Sequence, residues 1–139
     1  MEFLPRAKFR ELVFILLYSL DQVDQDIDTL IDTLYDYLKV SKKHLRDAHQ
    51  YVMAILSKKE ELDLKIKEIS VDYEFERILK VELNLIRLAT YEMLEAKVPV
   101  PVAISEAIRL SRKFSSPESG KYVNAILDQF SEASIKLKT

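Results

Sequence analysis

No cysteine occurs in these 139 residues, so disulfides, thiol nucleophiles and thiolate zinc sites are excluded. That absence fits a reducing cytoplasm. The single glycine, Gly120, rules out glycine-rich phosphate loops and dinucleotide fingerprints, which need several. Tight hairpins also lean on glycine at positive φ, so one glycine and four prolines argue for helices joined by short loops. Long hydrophobic runs are missing as well. The longest, Leu12 to Leu20, is only about half of the roughly 20 residues that a membrane helix requires. Pro5, Arg6, Lys8 and Arg10 precede it, which is not a signal-peptide pattern. A soluble, cytoplasmic chain without a membrane partner is expected. Basic charge is absent from one long stretch: Glu11 to Leu38 holds seven acids and no base. From Lys39 to Lys67 the balance reverses, with eight bases against four acids. The net charge of −2 therefore excludes a globally basic RNA-binder and leaves local basic surfaces open.

What is present reads as helix throughout. Pro5 suits a helix start, and the run LVFILLYSL that follows is apolar on nearly every face, the mark of a central helix. Asp24 to Asp26 signals the start of a second helix, with Ile27, Leu30, Ile31, Leu34, Tyr35 and Leu38 inward and Asp28, Asp32 and Asp36 on the solvated face. Ser41 caps a third, with Leu45, Ala48, Val52, Ile55 and Leu56 inward. A short polar helix spans about Glu60 to Ile69, and the longest runs from about Tyr73 to Glu95. Pro101 opens a sixth through Phe114, and Ser116 with Pro117 starts a seventh. The expected fold is all-α, about seven helices in one domain spanning 1–139.

Projected at about 100° per residue, Phe75, Ile78, Leu79, Leu85, Ile86, Ala89 and Met93 form one apolar arc on the fifth helix. Glu82 falls near its centre. An ionised carboxylate there costs several kcal/mol unless paired or hydrogen-bonded, about the general penalty for burying a charge. Two readings stay open: a structural ion pair or helix-end bond, or the edge of a partner-binding surface. A lone carboxylate supplies no acid/base dyad. His44 and His49 lie about 140° apart on a helix and share no metal-ligand spacing. The serines sit where capping explains them. No catalytic residue, metal site or cofactor is expected, and an enzyme is disfavoured.

Arg6, Lys8 and Arg10, with Tyr18 further along, are a candidate single-stranded RNA footprint: cations for phosphates, a ring for a base. Arg6 and Arg10 share one face. The bland alternative is a solvated helix terminus. Tyr122, Ala125, Ile126 and Gln129 also share a face, which places Tyr122 in or at the rim of a core.

Four segments, RAKFRELVFILLYSL, VELNLIRLATYEML, VPVPVAISEAIRLSRKF and SGKYVNAILD, stand in the order and near the spacing of the NusB family's motifs. The chain resembles that family of transcription antitermination factors over most of residues 5 to 130, with little signature between about 21 and 70. The resemblance implies two packed helical subdomains. It also implies an adaptor that binds boxA RNA together with NusE, a small-subunit ribosomal protein, in the RNA polymerase antitermination complex of ribosomal RNA operons. Carried over by position, it gives Arg6, Lys8, Arg10, Tyr18, Lys121 and Tyr122 to RNA, and Glu82, Glu118 and Tyr122 to the partner. Ala7 and Phe9 dilute the arginine-rich start, Ser105 stands for the family's usual Asn and Ala125 for its Gly. The rival reading is a helical protein-interaction module of the same fold without RNA binding.

Overall fold

In the computed structural model, the described residues are 3–70 and 74–138, with side chains to 129. They form seven α-helices and one 3₁₀ turn and contain no strand. The helices are α1 (Arg6–Gln22), α2 (Ile27–Leu38), α3 (Lys42–Ser57), α4 (Lys59–Ile69), α5 (Lys80–Leu94), α6 (Val100–Phe114) and α7 (Pro117–Lys138); the 3₁₀ turn is Phe75–Arg77. The fold is all-α, as expected. The chain divides into two compact units, Met1–Leu56 and Ser57–Thr139.

In the first unit, α1 starts behind Pro5 and stops where β-branched Val23 turns extended, at φ −139° and ψ 133°. Its Leu12, Val13, Phe14, Leu16 and Leu17 are buried, each leucine contributing about 1.5–3 kcal/mol of transfer free energy. Asp26 caps α2: its Oδ2 accepts from the Thr29 N–H at 3.1 Å and from the Thr29 hydroxyl at 3.0 Å. Ser41 Oγ accepts from the His44 N–H at 3.1 Å and so caps α3. The stripe of α2 is narrower than its pattern predicts. Leu30 and Ile31 are buried, whereas Tyr35 is exposed.

The acid and base runs of the sequence meet across these two helices. Arg46 Nη1 donates to Asp28 Oδ1 at 3.3 Å, and Lys42 Nζ lies 3.0 Å from Asp32 Oδ1. The two pairs match an antiparallel hairpin. Being exposed, each is worth about 0–1 kcal/mol, so they set the register of α2 against α3 more than they hold it. Lys39 ends α2 in the left-handed region, φ 54° and ψ 40°, a conformation that costs a non-glycine residue about 1–2 kcal/mol.

In the second unit α5, α6 and α7 surround a core that includes Leu83, Ile86, Ala89, Ala103, Ala107, Val123 and Ile126, with Ile66 of α4 against it. Gly120 lies where α7 passes α6. A Cβ there would stand 3.3 Å from Ser111 Oγ and from Arg112 Cγ, so the residue's small size permits the approach. Ser116 Oγ accepts from the Ser119 N–H at 3.1 Å, and Pro117 follows as the first residue of α7.

The fifth helix differs from its expected span. Its expected start, Tyr73, lies outside the described residues, and a 3₁₀ turn and an extended Leu79 precede Lys80. Phe75 and Ile78 still reach the core they were projected to share with Ile86, Ala89 and Met93, but from a turn and an extended residue rather than from the helix, whereas Leu79 is 66% exposed. Burial, not period, is what Phe75 and Ile78 satisfy.

One buried ion pair ties α4 to α5. Arg87 donates through Nε to Asp63 Oδ1 at 2.8 Å and through Nη2 to Asp63 Oδ2 at 3.0 Å. Its Nη1 donates to Asn84 Oδ1 at 3.1 Å, and Asn84 Nδ2 donates to the Lys80 carbonyl at 2.9 Å. The Arg87 side chain is 4% exposed. Asp63→Ala would take away the bidentate carboxylate of a buried guanidinium, with an expected loss of about 3–5 kcal/mol in urea unfolding. A loss below about 1 kcal/mol, the range of an exposed pair, would show that the pair is solvated.

Candidate functional site

A depression in the second unit is lined from two sides. The 3₁₀ turn and the start of α5 contribute Glu74, Arg77, Leu79 and Glu82. The α6–α7 junction contributes Ser115, Ser116, Glu118, Ser119 and Tyr122. The structure thus brings Glu82 beside Glu118 and Tyr122, which lie one turn apart on α7 and far from Glu82 in sequence. Lys121 is exposed but is not one of the lining residues.

Both acids sit in first turns, where the positive end of the helix dipole favours negative charge: Glu82 in α5 and Glu118 in α7. Glu82 is nonetheless buried, and burial raises its carboxyl above the ordinary 4.5. Glu74 and Arg77 pair at 3.0 Å as exposed side chains, so one base stands among three acids in the lining. The lining therefore carries an excess of acid. Ser119 is buried with a hydroxyl that finds no partner among the described residues. Tyr122 packs against the core from a half-buried position. The depression thus presents two acids without an ion-pair partner among the described residues, a spare hydroxyl, an exposed leucine and a tyrosine ring.

The N-terminal candidates separate by exposure. Arg6 is exposed, and Lys8 is half-buried with its Nζ 3.8 Å from Glu11 Oε1. Arg10, expected to share an exposed face with Arg6, is instead buried at 8% exposure, at the head of the buried stretch Arg10 to Phe14. Helical spacing gives direction but not depth, and Arg10 already lies where the apolar helix is enclosed. Tyr18 is half-buried and stacks on Phe14, ring centroids 5.9 Å apart. Phe9, a departure from the arginine-rich pattern, packs edge-on against Tyr51 at 5.8 Å. Sequence reasoning alone misses Glu74, Arg77, Leu79 and the three serines of the depression. Leu79 was assigned to the core by its apolarity, and capping accounted for the serines.

The described residues form an all-α protein with an open, acid-lined depression in its second unit, and no helix among them is long and apolar enough to cross a membrane. The sequence model of the NusB family matches residues 7–132. A transcription antitermination protein NusB from Anaeromyxobacter sp. (strain Fw109-5) is 35% identical over 127 residues, covering 91% of this chain and 89% of that protein. Among solved structures, T. maritima NusB superposes with a TM-score of 0.77 at 32% identity, over 94% of this chain and 93% of that one. A crystal structure of the antitermination factors NusB and NusE in complex with dsRNA superposes with a TM-score of 0.74 at 25% identity, over 92% and 96% of the respective chains. The chain belongs to the NusB family.

The buried acid has a measurable signature. Between 4.5 and its raised value, the folded state binds the Glu82 proton more tightly than the unfolded state does, so stability falls as pH rises through that window. Glu82→Gln removes the penalty. The variant is expected to be more stable than the wild type at about pH 7, with the difference closing at about pH 4, measured by urea unfolding. Equal stability at both pH values would show that the carboxylate is solvated.

Proposed function

We propose that this chain is an RNA-binding adaptor that recognises boxA RNA together with NusE and supports transcription antitermination of ribosomal RNA operons. Residues 1–139 act as one RNA-binding domain, in the cytoplasm, and carry out no reaction. The observation that carries the reading is the convergence of Glu82, Glu118 and Tyr122 on one depression within a chain whose family match runs nearly end to end. The named protein–RNA complex among its structural relatives supplies the partner classes.

The charge balance divides the work. An acid-rich depression repels phosphate and suits a basic protein segment, so Glu82, Glu118 and Tyr122 face NusE. The RNA backbone falls to exposed Arg6 and half-buried Lys8 of the first unit and to exposed Lys121 of the second, whereas Arg10 is buried. Tyr18 and Tyr122 offer rings for unstacked bases. The burial of Arg10 also favours the rival reading, a module of this fold that holds a protein without RNA.

Titration of boxA RNA with and without NusE separates the two. The adaptor reading expects tighter RNA binding when NusE is present, and log affinity falling against log salt with a slope of about −2 for about three phosphate contacts. Replacing Arg6, Lys8 and Lys121 together with glutamine should flatten that slope. NusE binding with no RNA uptake would establish the rival.

A further inference from the structure

A second basic feature of the first unit involves none of the residues assigned so far. From Tyr35 to Arg46 the chain holds four bases and one acid, Asp36. The turn between α2 and α3 gathers Tyr35, Asp36, Lys39, Val40, Ser41 and Lys42 around an open depression. Tyr35 is 44% exposed, and Tyr37 on the same last turn of α2 is 81% exposed. Folding does not call for an aromatic at Tyr37, since tyrosine is a middling helix former and this ring buries little.

The cations of the corner are available. Lys39 has no ion-pair partner among the described residues, and it holds a left-handed position that glycine would adopt without strain. Lys42 Nζ lies 5.2 Å from the Tyr35 ring centroid and 3.0 Å from Asp32 Oδ1, and Lys43 Nζ lies 2.8 Å from Asp47 Oδ2. All these side chains are well exposed, so water screens the pairs and phosphate oxygens can compete for the lysines. The start of α3, the positive end of its dipole, lines the same depression.

We infer that this α2–α3 corner is an additional contact for single-stranded RNA, stacking a base on an exposed tyrosine and holding adjacent phosphates with Lys39, Lys42 and Lys43. The inference rests on the RNA reading above and extends it to a surface that the family motifs do not touch. RNA fits better than protein because the corner is open and lysine-rich, whereas protein interface cores are depleted of lysine. Asp32 and Asp36 keep the local charge modest, so the tyrosines are needed to make binding more than electrostatic. The corner is also reachable from the N-terminal cations. Phe9, between Lys8 and Arg10, meets Tyr51 of α3, and His44 lies two turns before Tyr51 on the same side of that helix, roughly 11 Å along its axis.

The test compares two single-stranded RNAs by fluorescence anisotropy: a boxA core, and the same core extended by an oligouridine tail. Wild-type protein is expected to bind the extended RNA more tightly and with a steeper salt dependence. Tyr35→Ala combined with Lys39→Gln, the ring and the cation that line the depression, should remove most of that gain, roughly tenfold, while leaving the core affinity unchanged. Both positions are exposed, and an unchanged thermal transition verifies that the fold is retained. Tyr37→Ala, on the other side of α2, is the second variant and is expected to have the smaller effect. If all variants keep the wild-type preference for the extended RNA, or if the wild type shows none, the corner is not an RNA contact. Failure of the wild type to bind either RNA, with NusE present, overturns the RNA reading itself and this extension with it.

Discussion

The candidate partner site depends on a single buried charge. Arg87 sits at 4% exposure in the second unit with Asp63 as its bidentate partner, and removing one member of such a buried pair costs several kcal/mol. The bidentate pair orients α4 against α5, and Asn84 passes the constraint to the Lys80 carbonyl in the first turn of α5. That turn carries Glu82. The wall of the depression is thus positioned by a polar chain reaching from Asp63 to the helix start, with the apolar core of α5, α6 and α7 closing around it. Apolar packing alone tolerates small slides of one helix over another; a bidentate pair with fixed fork geometry does not.

Charge placement gives each unit a different character. In the first unit, acids of α2 and bases of α3 face one another, which neutralises most of both and leaves the turn between them basic. In the second, acids gather at the starts of α5 and α7, where the helix dipoles favour them, and the depression between those starts becomes acid-rich. A chain of net charge −2 can therefore offer one surface to phosphate and another to a basic protein segment.

Much of the fold was legible in the sequence. Asp26, Ser41, Ser116 and Pro117 mark the helix starts where the structure has them, because capping is local chemistry. The candidate site was legible only in part. Glu82 stands out as an acid among apolar residues and is buried, but its place in the chain differs from the projection. It lies in the first turn of a helix that begins at Lys80, not midway along a longer apolar stripe. Periodicity could not show that Ile78 and Leu79 are extended, since both patterns place apolar side chains inward at some positions. Nor could it show the depth of Arg10, which depends on how its helix is covered.

By itself, the sequence determined the class and the family: absent cysteine and scarce glycine left helices, and four ordered motifs named the relatives. It also set which residues carry charge. Only the tertiary structure decided what that charge can do. It placed Glu118 and Tyr122 beside Glu82, buried Arg10 while leaving Arg6 exposed, and turned Tyr37 and Lys39 outward at the α2–α3 corner. The reason is physical. Helix starts, turns and apolar stripes follow from neighbours within a few residues, whereas exposure and charge proximity follow from which helices pack together, and those contacts join residues far apart in the chain.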